Sequence, residues 1–374
     1  MLRILFLMSL LSMSACAAPT PSATSPAVTS PATRAQAPAP HARAPSPDAV
    51  LAPFEDAALM PPEVALLPYD RGRAYAVLVI LPSPAIVDLS SPGRARRGLA
   101  GFLDPLAVQR AGTALGHVMV GWRCAGQAGA GAQAGLVSKT GAANGRGYRL
   151  LRQGWGMGAM LASYDDGRLV TLAELPDQQR RVMRAGRARI LAMEITEDGC
   201  QRMRRALARY LAQPPAGQAR YSMVPTQARP LGDGCAGFAL CLTDTAGATG
   251  ALTPWLMRSV ELRDSFMGLG DTPEPGVTPL PTGARAPLSL LRLLLGDWSL
   301  GAEVGAVRLL DPELLQCALE QAGARAGYRF AERLPMEDPV NAAAQAAIAR
   351  WLDGWHRVTP VRVGRAQAVV LHRR

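Results

Sequence analysis

Cys235 is the side chain in this sequence best suited to chemistry, because it stands where a helix should begin. It follows the turn Gly232-Asp233-Gly234, and Phe238, Ala239 and Leu242 then recur at helical spacing. At a helix N-terminus the macrodipole and the unpaired N–H groups favour thiolate over thiol. The same N–H groups would stabilise an oxyanion. A thiolate nucleophile needs a base, and the histidines are few. His41 sits in a proline-rich tract, His356 follows a helical pattern, and His372 lies two residues from the end. His117 opens the apolar run HVMVGWRC, which reads as a strand and would hold an imidazole rigidly. The pair Cys235–His117 would therefore suit acyl transfer, in which the thiol attacks an amide or ester carbonyl. A second reading uses the same spacing: Cys235 shares its helical face with Phe238, Ala239 and Leu242, where a structural cysteine would be buried.

The remaining cysteines narrow the alternatives. Besides Cys16 and Cys235 the chain holds Cys124, Cys200, Cys241 and Cys317. Five beyond Cys16 is an odd number, so at least one is free or pairs between chains. Cys200 falls on an apolar stripe with Met203 and Leu207 and is expected in the core, and Cys124 has Cys241 as a candidate disulfide partner. There is no CxxC and no Cys/His cluster, so no zinc site is expected. Gly126, Gly129, Gly131 and Gly135 do not have the dinucleotide-binding spacing, and no cofactor is expected.

The elements that would position the pair follow from periodicity. Strands are expected at Arg73 to Leu81, His117 to Cys124, Arg189 to Ile195 and Val361 to Leu371, with shorter ones at Tyr148 to Leu151, Leu169 to Leu172 and Tyr221 to Val224. Asp198 and Gln201 form a capping pair for a helix carrying Met203, Leu207, Tyr210 and Leu211. Asp311-Pro312 and Asp338-Pro339 each pair an N-cap with proline at the first helical position, opening helices over 312–324 and 339–352. Five prolines between 273 and 287 mark a long loop. The mixture predicts an α+β fold, an antiparallel sheet with packed helices, with residues 54–262 as one domain and 263–374 as a C-terminal helix and strand extension.

Residues 1–15 read as an export signal. Met1-Leu2-Arg3 gives a positive start, and the apolar run from Ile4 to Met13 is too short to span a bilayer. Met13-Ser14-Ala15-Cys16 resembles the bacterial lipoprotein box, which implies lipidation of Cys16. By the same resemblance, Ala17 after it points to the outer membrane, facing the periplasm. Residues 16–53 read as a tether, since 29 of the 37 residues after Cys16 are Ala, Pro, Ser or Thr.

The order of strand-His, strand–helix, Tyr and glycine-led Cys is similar to that of circularly permuted papain-like proteins, which include the permuted NlpC-type amidases and the lecithin:retinol acyltransferase-like proteins. The matching pieces are Gly116-His117-Val118-Met119-Val120, ILAMEIT, the helix over 198–213, Tyr221 and Gly234-Cys235, within residues 110 to 245. The resemblance implies that Cys235 is the nucleophile and His117 its base, with Tyr221 near the oxyanion. Relatives often have Asn before the cysteine, where this chain has Gly234. For the polar residue that orients the histidine, Gln127, Gln133 and Asn144 all remain candidates.

Charge completes the sequence reading. The chain carries +11, yet it has one lysine, Lys139, against 39 arginines. Residues 54–374 alone keep +9. The arginine clusters Arg94 to Arg97, Arg180 to Arg189 and Arg202 to Arg205 lack aromatic interleaving, so nucleic acid is not an expected partner. For an exported chain the expected partners are the membrane through its lipid, peptidoglycan and anionic lipid. The functional expectation is a lipid-anchored envelope thiol hydrolase or acyltransferase acting on a peptidoglycan peptide or lipid acyl group. The alternative is a non-catalytic envelope lipoprotein binding cell wall or a protein partner.

Overall fold

The computed structural model describes residues 47–374 except 56–59, 103, 112–115, 126–132, 142–144, 270–273, 284–285, 330–333 and 374. The signal, Cys16, His41, most of the tether, Gln127 and Asn144 lie outside the described residues. Eleven strands are described: β1 (Ala74–Leu81), β2 (His117–Arg123), β3 (Ala134–Thr140), β4 (Ser163–Tyr164), β5 (Arg168–Val170), β6 (Arg189–Ile195), β7 (Met257–Arg263), β8 (Val277–Thr278), β9 (Glu303–Leu310), β10 (Arg357–Val363) and β11 (Ala366–His372).

Seven of them form one sheet in the order β10-β11-β6-β1-β2-β3-β5. The α+β expectation holds, and the sheet is mixed: β11 runs parallel to β6, while the other neighbours are antiparallel. β1 reads AYAVLVIL without alternation because it is covered on both faces. Ala76, Leu78 and Ile80 join Val118, Val120 and Trp122 in one core, and Tyr75, Val77 and Val79 join Met119 and Leu136 in the other.

Two helices cover the first face. Glu197–Leu211 buries Met203, Leu207 and Tyr210 of the expected stripe together with Cys200, and leaves Leu211 partly buried. Its N-cap is Thr196, whose side chain accepts from Gly199 N–H, rather than Asp198; Gln201 bonds Glu197. Cys235–Thr245 packs against β2. Cys124 is disulfide-bonded to Cys200, not Cys241, tying the residue after β2 to the first turn of the Glu197–Leu211 helix. Cys200 is thus both buried and bonded, while Cys241 is free and exposed.

Other expectations change on packing. Tyr148 to Leu151 lies in the helix Arg146–Arg152, with Leu150 turned into a small core with Trp155, so the short apolar run was a helical face. Tyr221 to Val224 forms no strand; Tyr221 makes one isolated bridge to Tyr164. The final strand is the hairpin β10–β11, turned at Gly364. The helices at Asp311 and Asp338 run Pro312–Arg325 and Pro339–Asp353, and both aspartates cap them.

The boundaries at 53 and 262 are not breaks in the fold, for residues 45–374 form one compact unit. Pro47–Leu51 is a helix with Leu51 in the core, and Arg204 grips Asp48 and Glu55, so the tether ends before residue 47. With Asp48 included, 37 basic and 29 acidic residues leave residues 47–374 at +8. Residues 263–374 return to the body twice: β9 pairs with β7, and β10–β11 completes the sheet. Leu262, Phe266, Trp298, Val307 and Leu309 make a third core beside Ala95 and Leu99. Among the described residues no helix is long and apolar enough to cross a membrane.

Candidate active site

Cys235 is the first residue of its helix, with Gly234 as N-cap. Gly232 makes the approach possible: its φ is +82°, and a Cβ there would lie 2.7 Å from the Met223 carbonyl oxygen. His117 is the first residue of β2 and follows Gly116, whose φ of +75° turns the chain into the strand. The thiol and the imidazole meet at this corner of the sheet, both lining one cavity, and His117 is the main influence that lowers the thiol's pKa.

The electrostatics of the thiol favour ionisation. Burial pushes its pKa up. The hydrogen bond and charge of His117, the Val118 N–H and the Tyr221 hydroxyl outweigh that and bring it below the ordinary thiol value. The direction is the one a nucleophile requires.

Ser138 on β3 orients the imidazole. Its Oγ lies 2.6 Å from His117 Nε2 and 3.3 Å from the Val118 carbonyl oxygen. With the hydroxyl proton donated to that carbonyl, the oxygen accepts Nε2–H, which leaves Nδ1 to take a proton from the thiol. Gln133, one of the candidates for this task, instead receives a hydrogen bond from Gln201.

Tyr221 stands on the other side of the thiol. Two backbone hydrogen bonds of 2.8 and 2.9 Å join it to Tyr164, and its ring lies 3.4 Å from where a Cβ on Gly141 would be. Its hydroxyl lies close enough to Cys235 for the two groups to shift each other's ionisation. Burial, reinforced by the nearby thiolate, holds its pKa well above the usual phenol value, so it stays a neutral donor. A hydroxyl at that point can donate to an oxygen developing beside the thiol.

The turn before the nucleophile is pinned from below. Asp233 N–H donates to Ser222 O at 2.7 Å, and the buried carboxylate lies 3.5 Å from both Lys139 Nζ and Arg229 Nε. Lys139, on β3, is fully buried. Its ammonium also donates to Gln218 O at 2.7 Å and to the Tyr210 hydroxyl. Burial lowers its pKa to about 8. Ser138 escaped the sequence reading, and Lys139 was noted there without a role. Ser138 gives no signal in sequence, but one lysine among 39 arginines was a signal that this position requires an ammonium.

A cavity of about 420 Å³ opens at the thiol, lined by His117, Tyr221 and Cys235 and by apolar side chains including Phe102, Leu151, Met160 and Met223. Elsewhere among the described residues, Asp70, Glu194 and His372 gather three metal-type ligands. Arg357 lies 3.0 Å from Asp70 Oδ2 and 3.2 Å from His372 Nδ1, and Arg73 pairs with Glu194, so arginines supply the counter-charge. No protein-family model, curated protein or solved structure matches this chain.

Proposed function

We propose that this protein is a thiol hydrolase or acyltransferase of permuted papain-like architecture, lipid-anchored at Cys16 and working in the bacterial cell envelope at the outer membrane. One observation carries the reading: a thiol of lowered pKa stands at a helix N-terminus, in the lining of a cavity, with an imidazole beside it that favours its ionisation and a serine bonded to that imidazole. His117 Nδ1 takes the Cys235 proton as the sulfur attacks the carbonyl carbon of an amide or ester. The carbonyl π pair moves to oxygen, where Tyr221 donates to it. Collapse breaks the C–N or C–O bond, and the leaving group takes the proton from His117. Water or an alcohol then adds to the thioester, His117 accepts its proton, and the proton returns to Cys235 as the thiol leaves. The Cys124–Cys200 bond supports an oxidising compartment.

A thiol-directed probe tests the reading in a Cys241→Ser background, because Cys241 is exposed and would label on its own. Cys235 should react in the native protein, and His117→Ala should abolish most of the reaction at pH 7. Reaction of Cys235 only after denaturation would make it a core cysteine. The protein would then be a binding lipoprotein that uses its groove or basic face on cell wall or a protein partner.

A further inference from the structure

Two cavities meet at Glu313. The first is the one lined by Cys235; the second, of about 360 Å³, lies against β7, β9 and Trp298. Ser83, Phe102, Met160, Met223, Pro312 and Glu313 line both, so the partition is a few side chains. Two of them are methionines, whose unbranched stems re-pack at little cost. Beyond the partition the lining is mostly apolar: Val260, Leu262, Phe266, Trp298 and Leu309 come from residues after the Cys235 helix, and a few serines with Glu261 and Arg263 stand among them. Glu313 is buried and accepts Val87 N–H at 3.2 Å. Burial, with Asp311 close by, raises its pKa to about 8, so at neutral pH it adds little charge to the passage.

Such a passage suits one ligand chemistry. A peptide threaded through it would bring an N–H and a C=O at every residue against walls that are mostly apolar and could not pair them all. A hydrocarbon chain has none to satisfy. The outer surface agrees: Leu291, Leu295 and Leu300 are 62%, 60% and 63% exposed on either side of the buried Trp298. Leu291 and Leu295 belong to a helix that packs on Pro92–Phe102, whose Pro92, Ala95 and Phe102 line the second cavity.

We propose that residues 257–313 add a second compartment to the thiol site, which receives the distal part of a long unbranched acyl chain drawn from a membrane lipid on which the three leucines rest. This inference builds on the thiol reading and names the substrate class of the same site. Reaction at Cys235 should therefore become faster as the chain attached to the electrophile grows, by up to about fourfold per methylene buried.

The test uses full-length protein with Cys241→Ser in lipid nanodiscs and N-alkyl iodoacetamides of two to twelve carbons. Ala95→Phe fills the second compartment. Partition into the disc is common to both proteins, so the ratio of long-chain to short-chain rates isolates the cavity. That ratio should be at least tenfold higher without Ala95→Phe, with short-chain rates alike; equal ratios overturn the proposal. Should Ala95→Phe lose short-chain reaction as well, Ser259→Trp at the exposed rim takes its place under the same criterion. If no chain length labels Cys235, the thiol reading fails, and the compartment is judged separately by quenching of Trp298 fluorescence with a brominated fatty acid. Saturable quenching lost in Trp298→Phe supports the compartment, and no quenching overturns it.

Discussion

Replacing Lys139 probes the site from beneath. Its ammonium has three N–H donors, and three acceptors converge on it: the Tyr210 hydroxyl, the Gln218 carbonyl and the Asp233 carboxylate. Lys139→Met keeps the stem and removes the charge, leaving Asp233 buried with only the partly exposed Arg229 beside it. Breaking a buried pair costs about 3–5 kcal/mol, and Arg229 argues for the lower end, about 3 kcal/mol. In urea this is a midpoint shift of about 1 M, given a slope near 3 kcal/mol/M. Lys139→Arg should also destabilise, by about 1–3 kcal/mol, since a planar fork overfills a fully buried niche. Adding Asp233→Asn to Lys139→Met should recover part of the loss, because the unpaired charge goes with it. Asp233 is two residues from Cys235, so thiol labelling should slow in Lys139→Met even at temperatures where it stays folded. A Lys139→Met protein within about 0.5 kcal/mol of the parent would refute the claim that this ion pair holds the turn.

Four further outcomes follow from the geometry. The alkylation rate of Cys235 should titrate below the ordinary thiol range, and His117→Ala should move the midpoint to higher pH. The rate at pH 7 then falls about tenfold for every pH unit by which that midpoint rises. Ser138→Ala should lower that rate while leaving a folded protein, and Ser138→Thr should restore it if the chain tolerates the extra methyl. Reducing Cys124–Cys200, or replacing both with Ser, should cost about 4.5 kcal/mol for the 76-residue separation, read as a fall in unfolding free energy. Glu313 has a folded pKa raised from 4.5 to about 8, so the folded form binds the extra proton. Its contribution is full below about 4.5 and is lost as pH rises through about 8, on the order of 1 kcal/mol per pH unit between; Glu313→Gln should flatten that slope in urea titrations at stepped pH.

The parts of this fold that sequence announced are those where one local rule decides. β1, β2 and β6 are dense apolar runs, and Asp311-Pro312 and Asp338-Pro339 cap and start their helices by chemistry contained in a few residues. The meeting of Cys235 with His117 followed from a helix start and a strand start, both local. What was hidden depended on partners far along the chain. Ser138 is an ordinary strand residue until β3 pairs with β2, and Cys124, just after a strand, gives no sign that its partner is 76 residues away on a helix. Tyr148 to Leu151 is too short for periodicity to separate helix from strand, and β9 was missed because only Val307, Leu309 and Leu310 of its eight residues are buried.

The placing of β11 bears on how the protein comes to be made. The last strand, Ala366–His372, is interior: it lies between β10 and β6, with Val369, Val370 and Leu371 fully enclosed. Synthesis runs from the other end, so β6 waits with an open edge while 170 further residues emerge. A ribosome-bound chain therefore has no finished sheet to close around. Were the chain exported as proposed, the polypeptide would still be threadable when a translocation pore received it, and the sheet and the thiol corner would form on the far side.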